Sequence, residues 1–261
     1  MSEPAAVDDA PGRPYTVTWR DRIAEIRLAC GKANALNPRS LGAIAEALDE
    51  AARGEARGAI LTGYDHFFSA GLDLVTLYDL SRLQLDAFMR DFDRVMLELF
   101  AFPRPVVAAV NGHAVAGGCI LALACDARVL ASGEGRMGLN EIQLGVPFPA
   151  SALEIARHAV PGEFLESILY GGGLYDPQEA VARGLADGVA TGDVLAQARG
   201  LCRSLCEPPS RAFATIKAAL KAPALQRAHE ALDRLRQAFV EAWFAPDARQ
   251  RIGETRARLL T

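Results

Sequence analysis

Residues 105–130, PVVAAVNGHAVAGGCILALACDARVL, are almost wholly apolar, yet Asn111, His113 and repeated glycines interrupt them. No run of membrane-spanning length survives those interruptions. The stretch must therefore be buried in a folded chain as several short elements. PVVAAVNG reads as a buried strand, AGGCILALAC as a helix opened by glycines, and DARVLA as a second strand. Upstream, GAILTG is a further buried strand. The helical pattern from about Leu83 to Phe102 puts Phe88, Phe92, Val95 and Leu99 on one side. Strands alternating with helices predict a layered α/β core with parallel pairing.

The flanking segments extend this pattern. YTVTWR and RIAEIRLA alternate apolar and polar residues around Asp21 and predict a hairpin. Asn37, followed by Pro38, starts a helix whose apolar face is Leu41, Ile44 and Leu48. YDHFFSAGLDL and MGLNEIQLG read as loops. In DPQEAVARG, Asp176 is the expected N-cap, Glu179 completes a capping box and Gly184 is the stop. GVAT is a possible last strand. Three amphipathic helices are then expected, from DVLAQARGLCRSLC, PPSRAFATIKAAL and ALDRLRQAFVEAWFA. The last carries Leu232, Leu235, Phe239, Trp243 and Phe244, enough apolar surface either for a subunit interface or for folding back over its own core.

Bulk properties exclude several classes of function. The chain has 261 residues, enough for a large core, and its net charge of −4 gives no long-range attraction for phosphate backbones or anionic lipid. Neither a nucleic acid nor a membrane is expected as partner. The N-terminus is acidic and proline-rich, without a signal or transit pattern, and the chain ends in LLT rather than a peroxisomal tripeptide, so the expected address is the cytoplasm. Five cysteines without a C-x-x-C do not make a disulfide framework. Cys202 and Cys206, four apart on a helix, are placed to touch, but no histidine at ligand spacing accompanies them, so no metal is expected.

Two glycine loops and one carboxylate carry the chemistry. In FSAGLD, Gly71 after Ala70 lets the backbone pass close to a ligand. In AVAGGCI, Gly117 and Gly118 open a helix whose first N–H groups have no intrahelical acceptor. Two such donors converging on one oxygen would form an oxyanion hole. Some two dozen residues further on, Glu141 stands alone among glycine, leucine and amide side chains.

FSAGLDL, NGHAVAGGCILALACDARV and MGLNEIQLGVP, in this order and spacing, resemble the crotonase superfamily, also called the enoyl-CoA hydratase/isomerase family. The resemblance runs over nearly the whole chain. It implies an α/β crotonase spiral of β-β-α units: a tail over residues 1–13, the spiral core over 14–200 and a C-terminal helical region over 201–261 used in assembly. A homotrimer or dimer of trimers is implied, with the aromatic helix around Phe239, Trp243 and Phe244 either at that interface or at the rim of the acyl pocket. By position, the N–H groups of Ala70 and Gly117 become the oxyanion hole for an acyl-CoA thioester. Lys32, Ala33, Ala35, Phe68, Leu72 and Ile120 become substrate or CoA contacts, and Lys32 read on its own is equally a solvated surface cation. No cofactor beyond the CoA thioester substrate is implied.

Hydratases of this family use two glutamates, one to activate water and one to help protonate C2. At the first of those positions this chain has Ile120, which cannot accept a proton. Glu141 alone matches, and its surroundings resemble the mitochondrial-type 3-enoyl-CoA isomerase branch. The resemblance implies conversion of a 3-enoyl-CoA to a trans-2-enoyl-CoA in fatty-acid β-oxidation, with Glu141 shuttling the proton. Burial by Ile120, Leu139 and Ile142 is expected to raise its pKa. Hydration, thioester hydrolysis and a catalytically silent CoA-binding protein are the alternatives. Asp126 is expected to be structural, paired near Arg128. Asp73 is expected to cap the helix that follows it, and Asn140 either to orient Glu141 or to complete the loop. His66 and His113 read as surface and packing residues.

Overall fold

The computed structural model describes residues 13–260, so most of the expected tail lies outside the described residues. β1 (Tyr15–Arg20) and β2 (Ile23–Leu28) form the hairpin. Its turn residues Asp21 and Arg22 both have positive φ, 51° and 60°, as a two-residue turn matched to strand twist requires. Asn37 caps α1 (Pro38–Arg53) in a reciprocal capping box with Ser40, and Leu41, Ile44 and Leu48 are buried.

The chain then steps repeatedly between two sheets. β3 (Gly58–Thr62) leads to β4 (Phe67–Ser69), the short helix α2 (Leu74–Leu77) and the long α3 (Arg82–Ala101). β5 (Val106–Val110) leads to β6 (His113–Val115) and α4 (Gly117–Leu123). β7 (Ala127–Leu130) leads to β8 (Met137–Gly138) and α5 (Glu141–Leu144). The first strand of each turn joins the larger sheet, ordered β1-β2-β3-β5-β7 and closed by β9 (Gly188–Val189); the second joins a smaller sheet, β4-β6-β8. Every pairing but the hairpin is parallel. This is the spiral of β-β-α units.

The two segments read as loops thus contain strands too short to show a period in sequence. Between β8 and β9 lie α6 (Ala150–Ala159), α7 (Gly162–Gly171) and α8 (Pro177–Ala182), with Asp176 and Glu179 in the expected capping box. α9 (Val194–Cys206) packs Ala198, Cys202 and Cys206 against Ile60, Val107 and Ala109 of the larger sheet. A Cβ at Gly58 would stand 2.6 Å from Cys206 Sγ and 2.8 Å from Cys202 Sγ, so the two thiols fill the space that glycine leaves. Among the described residues, no helix is long and apolar enough to cross a membrane.

The C-terminal region departs from expectation. Two of the expected helices are one, α10 (Ser210–Trp243), which runs through Pro223, and α11 (Pro246–Leu260) follows it. A proline inside a helix costs about 3 kcal/mol, yet Pro223 lies on the exposed side while Lys217, Lys221, Ala224 and Ala228 form a buried stripe. Tertiary anchoring of that stripe outweighs the local cost.

Asp126 supplies the anchor. Its Oδ2 accepts from Lys217 Nζ at 2.6 Å and from the Val106 N–H at 2.8 Å, and its Oδ1 from Lys221 Nζ at 2.8 Å. The lysines also donate to the carbonyls of Arg104 and Phe100. Asp126 is therefore structural as expected but with different partners, because Arg128 is engaged by Asp187. The lysines, some 90 residues further along the chain, reach it only through the fold. Burial pushes the Lys217 ammonium down to about 8 against the pull of Asp126.

Replacing Asp126 by alanine leaves two buried ammonium groups without their carboxylate, a loss expected to cost about 3–5 kcal/mol. Urea unfolding of Asp126→Ala beside the wild type measures it, and a loss below about 1 kcal/mol would mean that the network does not hold α10 in place.

Candidate active site

The smaller sheet gathers the three motifs. β4, β6 and β8 are parallel neighbours, so their carboxyl ends lie side by side: Ala70 follows β4, Ala116 and Gly117 follow β6, and Glu141 lies just beyond β8. In front of them is a cavity of about 720 Å³ whose wall includes Ala70, Gly117 and Glu141. Lys32, Ala33, Ala35 and Leu72 also line it. Phe68 and Ile120 do not: both are fully buried in the main core.

The expected CoA segment is stitched to the first loop. Asn34 is buried and donates to the carbonyls of Leu28 and Phe68, while Ser69 Oγ donates to Asn34 O at 2.8 Å. Leu36 N–H donates to Gly71 O at 2.7 Å, and Asp73 N–H to Leu36 O at 2.9 Å. Ala33 holds φ at +61° inside a 3₁₀ turn, Lys32–Asn34, and its carbonyl accepts from the Ala70 N–H at 3.0 Å. The first expected oxyanion donor is thus paired within the chain, and an incoming oxygen would have to share it with Ala33 or displace that carbonyl.

The second donor is differently placed. Gly117 is the first residue of α4, where helix geometry leaves its N–H without an intrahelical acceptor. Ala116 before it has φ 51° and ψ −121°, a conformation natural only to glycine. Such a residue costs about 1–3 kcal/mol and persists where the surroundings hold it. Gly71 meets the same loop from the other side with φ +81°; a Cβ there would stand 2.6 Å from Val115 O.

Glu141 opens α5 and is 8% exposed. Its Oε2 has no hydrogen-bond partner among the described residues. Burial pushes its carboxyl up to about 8 from an ordinary 4.5, with only its own backbone N–H acting the other way. Ile142 is 44% exposed and so is not part of the seal; Leu139 is fully buried. The other carboxylate in the wall, Asp73, caps α2 as expected. It accepts from Thr76 N–H at 3.0 Å, Thr76 Oγ1 at 2.6 Å and Asn37 Nδ2 at 3.0 Å. Burial alone would raise its pKa, but these donors bring it below the usual value.

Lys32 is exposed and donates to Leu259 O of α11 at 3.3 Å. Asn140 lines the cavity beside Glu141 and does not cap α5 with its side chain. His113 stacks on Phe67 and accepts from the Arg136 N–H, a packing role. Among the described residues, no three His, Cys, Asp or Glu side chains are grouped to hold a metal ion.

Sequence reasoning missed much of the wall: Met89 and Phe92 of α3, Ala152 of α6, and Thr255, Leu259 and Leu260 of α11. Phe239 and Trp243 line it too, so the aromatic excess of α10 folds back onto its own chain. An apolar helix face looks the same whether it meets core or cavity, so no local signal marked Met89, Phe92, Ala152, Thr255, Leu259 or Leu260.

Known proteins share this fold. A protein of Thermus thermophilus bearing an enoyl-CoA hydratase name is 36% identical over 183 residues, 67% of this chain and 70% of that one. The mouse mitochondrial enoyl-CoA delta isomerase 1 is 35% identical over 139 residues, 52% of this chain and 48% of that one. The crystal structure of the human mitochondrial delta3-delta2-enoyl-CoA isomerase superposes with a TM-score of 0.87 at 26% identity, covering 99% of this chain and 98% of the other. The family model for enoyl-CoA hydratase/isomerase matches residues 19–256, and the chain belongs to that family, the crotonases.

Proposed function

We propose that this enzyme isomerises 3-enoyl-CoA to trans-2-enoyl-CoA with Glu141 as its single proton shuttle. One observation carries the proposal: among the described residues, of the two carboxylates in the cavity wall Asp73 is fully engaged as a helix cap, and Glu141 alone keeps an unpartnered oxygen. Adding water requires a second acid–base group, and the position where hydratases carry it is Ile120, buried and aliphatic. Moving a proton from one carbon to another requires only one.

In the proposed reaction the thioester oxygen accepts from the Gly117 N–H, and from the Ala70 N–H in competition with Ala33 O. Ionised Glu141 removes a C2 proton, and the electron pair of that C–H bond becomes the C1–C2 double bond of a dienolate whose charge lies on the thioester oxygen and, through the C3–C4 double bond, on C4. The same carboxylic acid returns the proton to C4, leaving the double bond between C2 and C3. Proton and charge balance within the active site. Apolar surroundings keep water from trapping the dienolate.

The assay mixes the protein with a 3-enoyl-CoA and, separately, with a trans-2-enoyl-CoA, following conjugated-thioester absorbance. Conjugated product from the first substrate and no hydration of the second are expected, with a loss of about 10²–10⁴ in kcat for Glu141→Gln. Hydration of the second substrate would show instead that another group supplies the missing acid. Binding of CoA esters with neither reaction would leave a silent binding protein.

Because burial holds the Glu141 carboxyl near 8, kcat/KM should rise with pH through about 8 and then level off. A profile already flat at neutral pH would contradict the assignment. Stability runs the opposite way. The folded state keeps this proton that the unfolded chain gives up near 4.5, so the contribution is complete below about 4.5 and is lost as pH rises to about 8. Glu141→Gln has no such proton to lose, so its Tm relative to wild type should climb across that interval. A constant difference would place the titration elsewhere.

A further inference from the structure

The peptide between Ala116 and Gly117 is held in a conformation that its own sequence disfavours. Ala116, at φ 51° and ψ −121°, stands where glycine would be free of strain, and Gly117 and Gly118 follow directly, yet this position carries a methyl group. Its carbonyl accepts from the Ile120 N–H at 3.0 Å, and its N–H donates to Gly138 O at 2.8 Å. The first of these bonds sets the peptide plane, in which the Gly117 N–H points opposite to the Ala116 carbonyl. A single bond of that kind is worth no more, net, than the strain it opposes.

Relaxation has an open route. Turning the peptide by half a turn would carry Ala116 into the left-handed helical region, which alanine tolerates better, and Gly117, without a side chain, could follow. That turn would reverse the Gly117 N–H. Packing stands against it. A Cβ on Gly117 would stand 3.0 Å from Leu36 Cδ1 and 3.4 Å from Phe92 Cε2, and one on Gly71 would stand 3.1 Å from Ala116 Cβ and 3.2 Å from Gly117 N. Leu36 and Phe92 are both buried. The Phe92 ring is also kept from retreating, because the next residue, buried Asp93, accepts from the Ser151 N–H at 2.9 Å and ties α3 to the start of α6.

We propose that Phe92 is a positioning residue: its ring edge holds the strained Ala116–Gly117 peptide in the orientation that presents the Gly117 N–H to the thioester oxygen. The inference rests on the isomerase reading above and adds to it a side chain of α3 that acts through the backbone donor. Phe92 also lines the cavity, so a role limited to packing against the acyl chain is the rival. The two roles differ in what they predict. Acyl packing acts on bound substrate and transition state alike and is read in KM, whereas aim of the donor acts on charge that develops in the transition state and is read in kcat.

Steady-state isomerisation of a 3-enoyl-CoA by wild type, Phe92→Leu, Ala116→Gly and the double variant tests the proposal, with Tm measured for each. Leucine keeps the place apolar and removes the ring atom that meets Gly117. Phe92→Leu should lower kcat about tenfold at nearly constant KM. Ala116→Gly should raise Tm by about 2–4 °C as the strain is relieved. In that background Phe92→Leu should cost less than about threefold in kcat, since a relaxed peptide no longer needs holding. An unchanged kcat in Phe92→Leu, a change confined to KM, an equal loss in both backgrounds, or no rise in Tm for Ala116→Gly overturns the proposal. Should Phe92→Leu not fold, Phe92→Met, closer in volume, enters the same comparison. Absence of isomerisation in the wild type would instead bring down the underlying reading, and this inference with it.

Discussion

Everything in the site depends on how closely three backbones approach at the carboxyl ends of β4, β6 and β8. A Cβ on Gly118 would stand 2.2 Å from Ser69 O, and one on Gly138 would stand 2.1 Å from Gly173 O. No side chain fits at either place. Removing it lets α4 start directly against the end of β4, which puts the N–H groups of its first turn beside the loop that holds Ala70. The parallel register does the rest, since loops that follow neighbouring parallel strands emerge on the same edge. The larger sheet sets the pitch of the spiral, and the smaller one turns that pitch into a reaction site.

Burial of Glu141 has two consequences that pull against each other. It raises the basicity of the carboxylate, which in the proposed reaction favours removal of a weakly acidic C2 proton, and it lowers the fraction that is ionised at neutral pH. Its position at the first residue of α5 would favour the ionised form, but a helix-end effect is worth only about 0.3–1 kcal/mol and fades quickly. The net upward displacement shows that desolvation dominates. A site of this kind spends part of its population protonated in exchange for a stronger base in the remainder.

The parts of this arrangement that were legible in the sequence are those written locally. Apolar runs located β3, β5 and β7, and Asn37, Asp73 and Asp176 announced helix starts that the structure reproduces as hydrogen-bonded caps. The glycine loops and Glu141 stood out because glycine pairs and isolated carboxylates are visible without any partner. The partners themselves were not visible. Nothing near Asp126 points to Lys217 and Lys221, and nothing around Ala70 shows that the Ala33 carbonyl takes its N–H. PPSRAFATIKAAL and ALDRLRQAFVEAWFA read as two helices, yet the buried stripe of α10 carries one helix through Pro223 between them. The strands of the smaller sheet have two or three residues each, too few for periodicity.

A division of labour follows from where the cavity wall originates. The spiral core supplies the backbone donors and Glu141, whereas α10 contributes Phe239 and Trp243 to the wall and α11 contributes Thr255, Leu259 and Leu260. α11 is held there by Arg249, which packs 3.5 Å from the centre of the Tyr78 ring and donates to the Tyr78 carbonyl at 2.9 Å, and by the Arg256–Asp79 ion pair. The ion pair is largely solvated and worth little by itself; the stacked and hydrogen-bonded guanidinium is the stronger tether. Changes in α10 or α11 can therefore alter the shape of the acyl space without disturbing the close-packed glycines behind the reacting atoms. In the proposed reaction the thioester meets the core and the acyl tail meets the helices, so the chemistry and the choice of substrate would be fixed by different parts of the chain.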